Sequence, residues 1–188
     1  MDDQVVVCIQ RALEELERSE SVVVLLAVES GSRAWGFAST DSDYDVRFLY
    51  VRPPEWYLSI DVESQRDVIE RPLQVSIDLS GWDIRKALKL FRKSNPPLLE
   101  WLQCSIVYRE RFSLATRLRA LLPEFYSPRA SFFHYLHMAQ GNIREYLRGV
   151  ANNHRGFDRM QQLTHIARPV VTAETLQRCF ADGFRVPE

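Results

Sequence analysis

An uninterrupted apolar run at residues 21–28, SVVVLLAV, is the feature that most constrains how this chain can fold. Continuous runs of β-branched and aliphatic residues are typical of strands that other layers of the protein cover on both faces. A chain of 188 residues with 46% hydrophobic residues is long enough to bury such a strand in a core. We therefore expect one layered globular domain, or one such domain with a helical appendage.

Two further strands are predicted downstream of this run. Residues 44–51 are mostly apolar, and two prolines directly after them stop a strand. Residues 72–80 alternate between apolar and polar side chains, which is typical of a strand with one buried face. The predicted apolar face carries Leu73, Val75, Ile77 and Leu79. The opposite, polar face carries Asp78.

Helical periodicity dominates the rest of the chain. The predicted helices span residues 3–18, 82–94, 98–103, about 112–122 and about 130–149. We expect Ser80 or Asp83 to cap the second helix and the following Asn-Pro-Pro to end it. Because the strands precede most of the helices, we predict an α+β fold, with a sheet domain over residues 1–108 and a helical C-terminal region over residues 109–188.

Composition excludes several classes of protein. The N-terminus carries acids where a signal peptide needs basic residues, and no apolar run reaches the length of a membrane span, so we expect a cytoplasmic protein that binds no membrane. Three widely spaced cysteines form neither a disulfide framework nor a metal-ligand set.

Charge is distributed unevenly along the chain. Residues 1–108 carry 12 Lys/Arg against 18 Asp/Glu, whereas residues 109–159 carry 9 Arg against 4 acids. This split suits an acidic cation site beside a basic phosphate-binding surface, or plain surface charge on two layers.

Three aspartates at alternate positions, Asp41, Asp43 and Asp45, lie where the second strand is predicted to begin. Residues two apart in a strand point to the same side, so Asp43 and Asp45 present their carboxylates to one face. If the third strand is a neighbour, about 5 Å away, Asp78 joins them. Such a cluster repels itself unless a cation compensates, and Mg²⁺ suits carboxylate oxygens together with substrate phosphates. The three aspartates therefore predict a site for two Mg²⁺ ions, with Mn²⁺ as a substitute.

The spacing of these aspartates does not fit a calcium-binding loop. An EF-hand loop starting at Asp41 needs Gly at its sixth position and Glu at its twelfth, where this chain has Val46 and Arg52. A solvated, Asp-rich turn is the structural alternative to a magnesium site. His134 and His137 share a helix face, but no nearby cysteine or acid completes a zinc set.

Gly31 and Ser32 directly follow the predicted buried strand. A glycine-serine turn lets backbone N–H groups approach a phosphate closely, and the hydroxyl adds a donor. Placed shortly before the acidic pair, this turn predicts a phosphate-binding site that faces bound cations, which is the arrangement that phosphoryl transfer uses. The sequence contains no Walker-type or dinucleotide-binding glycine motif.

Gly31-Ser32, followed after ten residues by Asp43-Tyr44-Asp45-Val46 and later by Asp78, resembles the signature of the DNA polymerase β-like nucleotidyltransferase superfamily. Within it, the stretches GSRAWGF, SDYDVRFLYVRP, DLSGWDIRKALKLFRKSNPPLLEWL and MAQGNIREYL resemble the RNA repair pathway DNA polymerase β family. The resemblance covers about residues 20–150 and implies a small mixed-sheet palm of nucleotidyltransferase type with flanking helices. It also implies Mg²⁺-dependent transfer of a nucleoside monophosphate from an NTP to a hydroxyl, with release of pyrophosphate.

The same resemblance implies a role for each matched residue. The implied roles are triphosphate binding by Gly31 and Ser32, metal binding by Asp43 and Asp45, and, by Asp78, binding of the metal that activates the acceptor hydroxyl. Arg33 fits a phosphate contact and Arg47 fits pairing with the aspartates, with a structural ion pair as the alternative for each. The acceptor is not implied, and RNA is one candidate.

The C-terminal part departs from the family pattern. Where the family shows a Lys-Lys-Tyr stretch leading into Leu-Arg-Pro-Leu-Leu and a further segment, this chain has only ARPVV at residues 167–171. We therefore expect a short or diverged C-terminus that lacks a cation near the phosphates. Two alternatives to an active enzyme stay open: a nucleotide- or RNA-binding protein without catalysis, and a protein-binding component of an RNA-repair or toxin–antitoxin operon.

Overall fold

A computed structural model of the protein describes residues 3–36, 38–39, 42–73 and 77–142. The strands are β1 (Val23–Glu29), β2 (Tyr44–Val51), β3 (Val68–Leu73), β4 (Ile77–Asp83) and β5 (Val107–Glu110). The helices are α1 (Asp3–Glu20), α2 (Gly31–Ala34), α3 (Pro54–Tyr57), α4 (Ile84–Arg92), α5 (Pro96–Gln103), α6 (Leu114–Ala120), α7 (Leu122–Phe125) and α8 (Pro128–Asn142). Over these described ranges, no helix has the length and hydrophobicity needed to cross a membrane.

The strands form one mixed sheet in the order β3-β4-β2-β1-β5. β2 and β4 run parallel, whereas the other neighbouring pairs are antiparallel. The predicted α+β fold with a small mixed sheet and flanking helices is thereby confirmed. The parallel pair has the most direct consequence for function, because it places the beginnings of β2 and β4 at the same edge of the sheet.

The strand predicted at residues 72–80 is wrong in its extent. β3 ends at Leu73 and β4 begins at Ile77, and these two residues pair as antiparallel neighbours, so the pattern spans two strands. The alternation did not reveal this reversal because the three residues between the strands, Gln-Val-Ser, include no glycine, proline, asparagine or aspartate. Val75 lies outside the described residues.

Both faces of the sheet are covered, as the apolar run of β1 predicted. On one face, buried residues of α1 join those of β2 and β4; they include Ile9, Leu13, Leu16, Val46, Phe48, Tyr50 and Leu79. On the other face, α4, α5 and α6 cover Leu26, Val28 and Leu49 with side chains that include Phe91, Leu98, Trp101 and Leu118. Side chains alternate along β2, so Asp45 and Arg47 share the second face with Leu49.

Of the two capping residues that the sequence proposed for α4, Asp83 is the one that caps it, as the residue directly before the helix. Its Oδ1 accepts a hydrogen bond of 2.8 Å from the Arg85 N–H, and its Oδ2 accepts one of 2.7 Å from the Tyr57 hydroxyl. The side chain is fully buried, and both of its oxygens have partners. The N-cap satisfies a backbone donor that the helix leaves unpaired and fixes where α4 leaves the sheet.

The chain divides into two compact units, Met1–Arg92 with Pro97–Phe125 and Lys93–Pro96 with Tyr126–Glu188. The predicted boundary at residue 108 falls within β5, which the sequence patterns did not reveal and which pairs with β1. The sheet therefore extends to Glu110. In the second unit, Ser94 Oγ accepts a 2.7 Å hydrogen bond from the Ser127 N–H. The predicted helix beyond residue 142 and the diverged tail lie outside the described residues.

Candidate functional site

The parallel pairing of β2 and β4 sets Asp45 directly opposite Asp78. The neighbouring residues Val46 and Leu79 point into the core beneath α1, so both aspartates point to the other face of the sheet. Their side chains are 32% and 46% exposed, respectively. Two carboxylates that are distant in sequence thus meet at a partly solvated edge, where ions can reach them.

Arg47 bridges these two carboxylates. It lies two residues after Asp45 in β2 and therefore on the same face. Its Nη2 donates to Asp45 Oδ1 at 2.9 Å, and its Nη1 donates to Asp78 Oδ2 at 2.8 Å. The predicted pairing of Arg47 with the aspartates is confirmed, and the guanidinium supplies the positive charge that two adjacent carboxylates require.

Gly31 packs directly against the carboxylate of Asp45. Its φ of +62° lies in the left-handed region, and a Cβ at this position would lie 2.2 Å from Asp45 Oδ2. The turn is tied to β2 by a 2.8 Å hydrogen bond from the Ser30 N–H to the Asp45 carbonyl oxygen. Ser32 lies half-buried in α2 beside it. Only glycine fits here, because any side chain would displace the carboxylate.

Arg33 holds the segment that leads into β2. Its Nη2 donates to the Ser42 carbonyl oxygen at 2.5 Å, and its Nε donates to the Asp43 carbonyl oxygen at 3.2 Å. The guanidinium carbon lies 3.9 Å from the centre of the Tyr44 ring, at cation–π distance. Asp43 itself is exposed. Arg33 therefore orders the chain around Asp43, and its predicted phosphate contact stays a prediction.

The donor atoms at this site fit a divalent cation. No group of three or more His, Cys, Asp or Glu side chains suited to a metal occurs among the described residues, so Asp43 is not grouped with Asp45 and Asp78 in this way. Two carboxylates nevertheless match Mg²⁺, which takes one or two of them together with substrate phosphates. Because Gly31 has no side chain, Oδ2 of Asp45 can lie close to the backbone of the turn. Binding of two metals by all three aspartates stays a prediction.

A buried carboxyl group, which sequence analysis missed, lies beneath Asp45. Glu29 is 1% exposed; its Oε1 accepts a 2.8 Å hydrogen bond from the Asp45 N–H, and its Oε2 accepts one from the Tyr108 hydroxyl. Burial raises the pKa of Glu29, although both hydrogen bonds favour the charged form. Burial, together with the Glu29 carboxylate, also raises the pKa of Tyr108. An acid that ends an apolar strand before a glycine turn was a signal for Glu29, whereas nothing local indicated Tyr108.

Known proteins similar to this chain include one from Bacillus and one from Exiguobacterium. The chain is 48% identical over 172 residues to the uncharacterized protein YcgL of Bacillus subtilis (strain 168), covering 90% of this chain and 63% of that protein. It thus spans less than two-thirds of that relative. A crystal structure of a nucleotidyltransferase-like protein from Exiguobacterium sibiricum 255-15 matches with a TM-score of 0.38 and 14% identity, covering 90% of this chain and 58% of the other. The sequence profile of the RNA repair pathway DNA polymerase beta family matches residues 5–180, and this chain therefore belongs to that family.

Proposed function

We propose that this protein is a Mg²⁺-dependent nucleotidyltransferase that moves a nucleoside monophosphate from an NTP to a hydroxyl and releases pyrophosphate. The observation that carries the proposal is that Asp45 and Asp78 lie opposite each other on parallel strands and both bind the Arg47 guanidinium. Membership of the RNA repair pathway DNA polymerase beta family supports it. RNA is a candidate acceptor because the family is assigned to RNA repair.

The residues of this chain would act mainly by positioning. Asp45 and Asp78 would hold Mg²⁺, which when bound neutralises phosphate charge and lowers the pKa of the attacking hydroxyl. Ser32 and the backbone around Gly31 would bind the triphosphate from the turn beside Asp45. Arg33 uses Nε and Nη2 to hold residues 42 and 43, and its Nη1, which has no hydrogen bond to the residues that the structure describes, would contact a phosphate. The acceptor oxygen would attack the α-phosphorus in line as the bond to the pyrophosphate oxygen breaks.

The test is turnover of labelled NTPs with Mg²⁺ or Mn²⁺ against a panel of RNA, tRNA, protein and small-molecule acceptors. Asp45→Asn and Asp78→Asn keep side-chain size and remove charge, and each should lower pyrophosphate release by roughly 100-fold or more. Asp61→Asn, an exposed acid in another loop, is the matched control and should keep full turnover. Circular dichroism would verify that each variant folds. Full turnover in Asp45→Asn would contradict the proposed site.

A second candidate function is nucleotide or RNA binding without catalysis. The observation that favours it is the Arg47 bridge, because this pair of carboxylates already has a cation from the protein itself. Such a protein would bind RNA with an affinity that falls steeply as salt rises, and it would show no metal-dependent NTP turnover. The turnover assay with Asp45→Asn and a salt titration of RNA binding distinguish the two functions.

A further inference from the structure

The Arg47 guanidinium lies where a metal ion would have to compensate the same two carboxylates. Each of its two terminal nitrogens contacts one carboxylate, Nη2 to Asp45 Oδ1 at 2.9 Å and Nη1 to Asp78 Oδ2 at 2.8 Å. A guanidinium stays charged at every pH at which proteins fold, so it cannot give up this role by losing a proton. Arg47 therefore leaves the carboxylates only if its side chain moves.

Among the described residues outside the two carboxylates, Arg47 is held only by long hydrogen bonds from Nη1 to the carbonyl oxygens of Val46 at 3.4 Å and Asp78 at 3.5 Å. Its side chain is 21% exposed and therefore not enclosed in the core. Each carboxylate keeps one oxygen outside the bridge, Oδ2 of Asp45 and Oδ1 of Asp78. A metal that approached these oxygens would lie within a few ångströms of the guanidinium, and two cations at that separation repel each other. Arg47 and a metal ion therefore weaken each other's binding to these two carboxylates.

We propose that Arg47 competes with a divalent metal for Asp45 and Asp78. In the metal-free protein, its guanidinium holds the two carboxylates together. When metal binds, the guanidinium releases at least one of them. This inference rests on the proposed function, because it concerns the metal that the transfer reaction would use, and it adds a residue that sets how tightly that metal binds.

Direct binding of Mn²⁺, measured by electron paramagnetic resonance without nucleotide, tests the competition. Arg47→Met keeps most of the side-chain volume and removes the charge, so its affinity for Mn²⁺ should be roughly tenfold higher than wild type or more. Arg66→Met is the matched control, since Arg66 is an exposed arginine paired with Glu70, and its affinity should equal wild type. Asp45→Asn should abolish binding in both backgrounds.

The outcomes separate this inference from the proposed function. Equal Mn²⁺ affinity in wild type and Arg47→Met, with loss of binding in Asp45→Asn, would overturn the competition while the metal site stands. Weaker binding in Arg47→Met would also overturn it, because Arg47 would then support the metal site. Binding in Arg47→Met alone would support the competition most strongly. No binding in either protein would overturn the competition, whereas the proposed function would still be judged by NTP turnover, in which substrate phosphates complete the metal site.

A measurement on the wild-type protein covers the case in which Arg47→Met fails to fold. The ¹⁵N resonances of the Arg47 guanidinium, assigned by their loss in Arg47→Lys, should change saturably as Mg²⁺ is added. The midpoint of that change should match the dissociation constant for Mg²⁺ that is calculated from its displacement of Mn²⁺. Guanidinium resonances that stay unchanged at saturating Mg²⁺ would overturn the competition.

Discussion

At the scale of single residues, the backbone conformation at Gly31 allows the Asp45 carboxylate to take its position in the site. The sequence indicates a glycine that permits close approach, and the structure shows that the approaching group is the carboxylate of Asp45. The turn therefore packs directly on Asp45, a residue of the proposed metal site. Because Gly31 has no Cβ, the Asp45 carboxylate can stay in the position in which it binds Arg47 and lies opposite Asp78.

Gly31→Ala should damage the site more than the fold. The left-handed backbone costs roughly 1–2 kcal/mol for a residue with a Cβ, and the new methyl group would push Asp45 away from Arg47. Gly36→Ala is the control, because Gly36 has a φ of +79° but its new methyl group would meet no described atom within 4 Å. Denaturation should show similar losses of stability, whereas Mn²⁺ affinity should fall only in Gly31→Ala. Equal affinities in the two variants would contradict this role of Gly31.

Glu29 predicts a dependence of stability on pH. Burial raises its pKa above the ordinary value of 4.5, so the folded protein favours the neutral carboxyl group. The neutral Glu29 carboxyl group therefore contributes to the free energy of unfolding. That contribution is fully present below pH 4.5 and is lost as the pH rises through the raised pKa. Glu29→Gln imitates the neutral form, so it should be more stable than wild type at about pH 7 and nearly equal to it near pH 4. Denaturation curves at a series of pH values measure this difference, and a gain that does not change with pH would contradict it.

At the scale of secondary-structure elements, the pairing of β2 with β4 depends on another glycine. Gly81 lies opposite Phe48, and a Cβ on Gly81 would lie 2.1 Å from the Phe48 ring. The ring is fully buried in the core beneath α1, so it has no room to move aside. The same register that brings these two residues together also sets Asp45 opposite Asp78.

Gly81→Ala should lower the free energy of unfolding by roughly 1–3 kcal/mol, which is the usual cost of overpacking a core. Ser80→Ala is the control, because it changes the preceding residue of β4, which points to the opposite face, and should have a small effect. Phe48→Leu removes the ring atoms that the new methyl group meets. The double variant should therefore lose less stability than the sum of the single changes, as urea denaturation would show. Strict additivity would contradict the contact.

At the scale of the whole first unit, Glu17 joins α1 to strands β1 and β5. Its Oε1 accepts a 2.7 Å hydrogen bond from the Val24 N–H, and its Oε2 lies 2.9 Å from Arg109 Nη1. Arg111 Nη1 also lies 3.1 Å from Oε1. The Glu17 side chain is only 16% exposed, so solvent weakens these interactions less than it weakens surface ion pairs.

Glu17→Gln should destabilise the first unit by about 2 kcal/mol, because it leaves the mostly buried Arg109 without its main counter-charge. Glu14→Gln is the matched control on the same helix. Glu14 is 63% exposed and lies 3.9 Å from Arg109, so its loss should cost less than about 0.5 kcal/mol. Thermal and chemical denaturation of both variants would measure the difference. Equal effects of the two changes would contradict the role of Glu17.

Prediction from sequence succeeded where a pattern depends on neighbouring residues. β2 occupies the predicted residues 44–51, and α1 extends only two residues beyond the predicted helix. β3 and β5 were missed, because the residues between β3 and β4 include no glycine, proline, asparagine or aspartate, and because a four-residue strand leaves almost no local pattern. Glu29 with Tyr108 was missed because their contact joins residues far apart in the chain.

The sequence by itself determined the α+β class, the buried central strand, and which aspartates, glycine and arginines could form a site. Only the tertiary structure decided that Asp45 faces Asp78, that Arg47 binds both of them, and that Gly31 packs on Asp45. The physical reason is that periodicity records which way a side chain points within its own strand or helix. The register between strands is set instead by contacts between distant segments, such as that of Phe48 with Gly81.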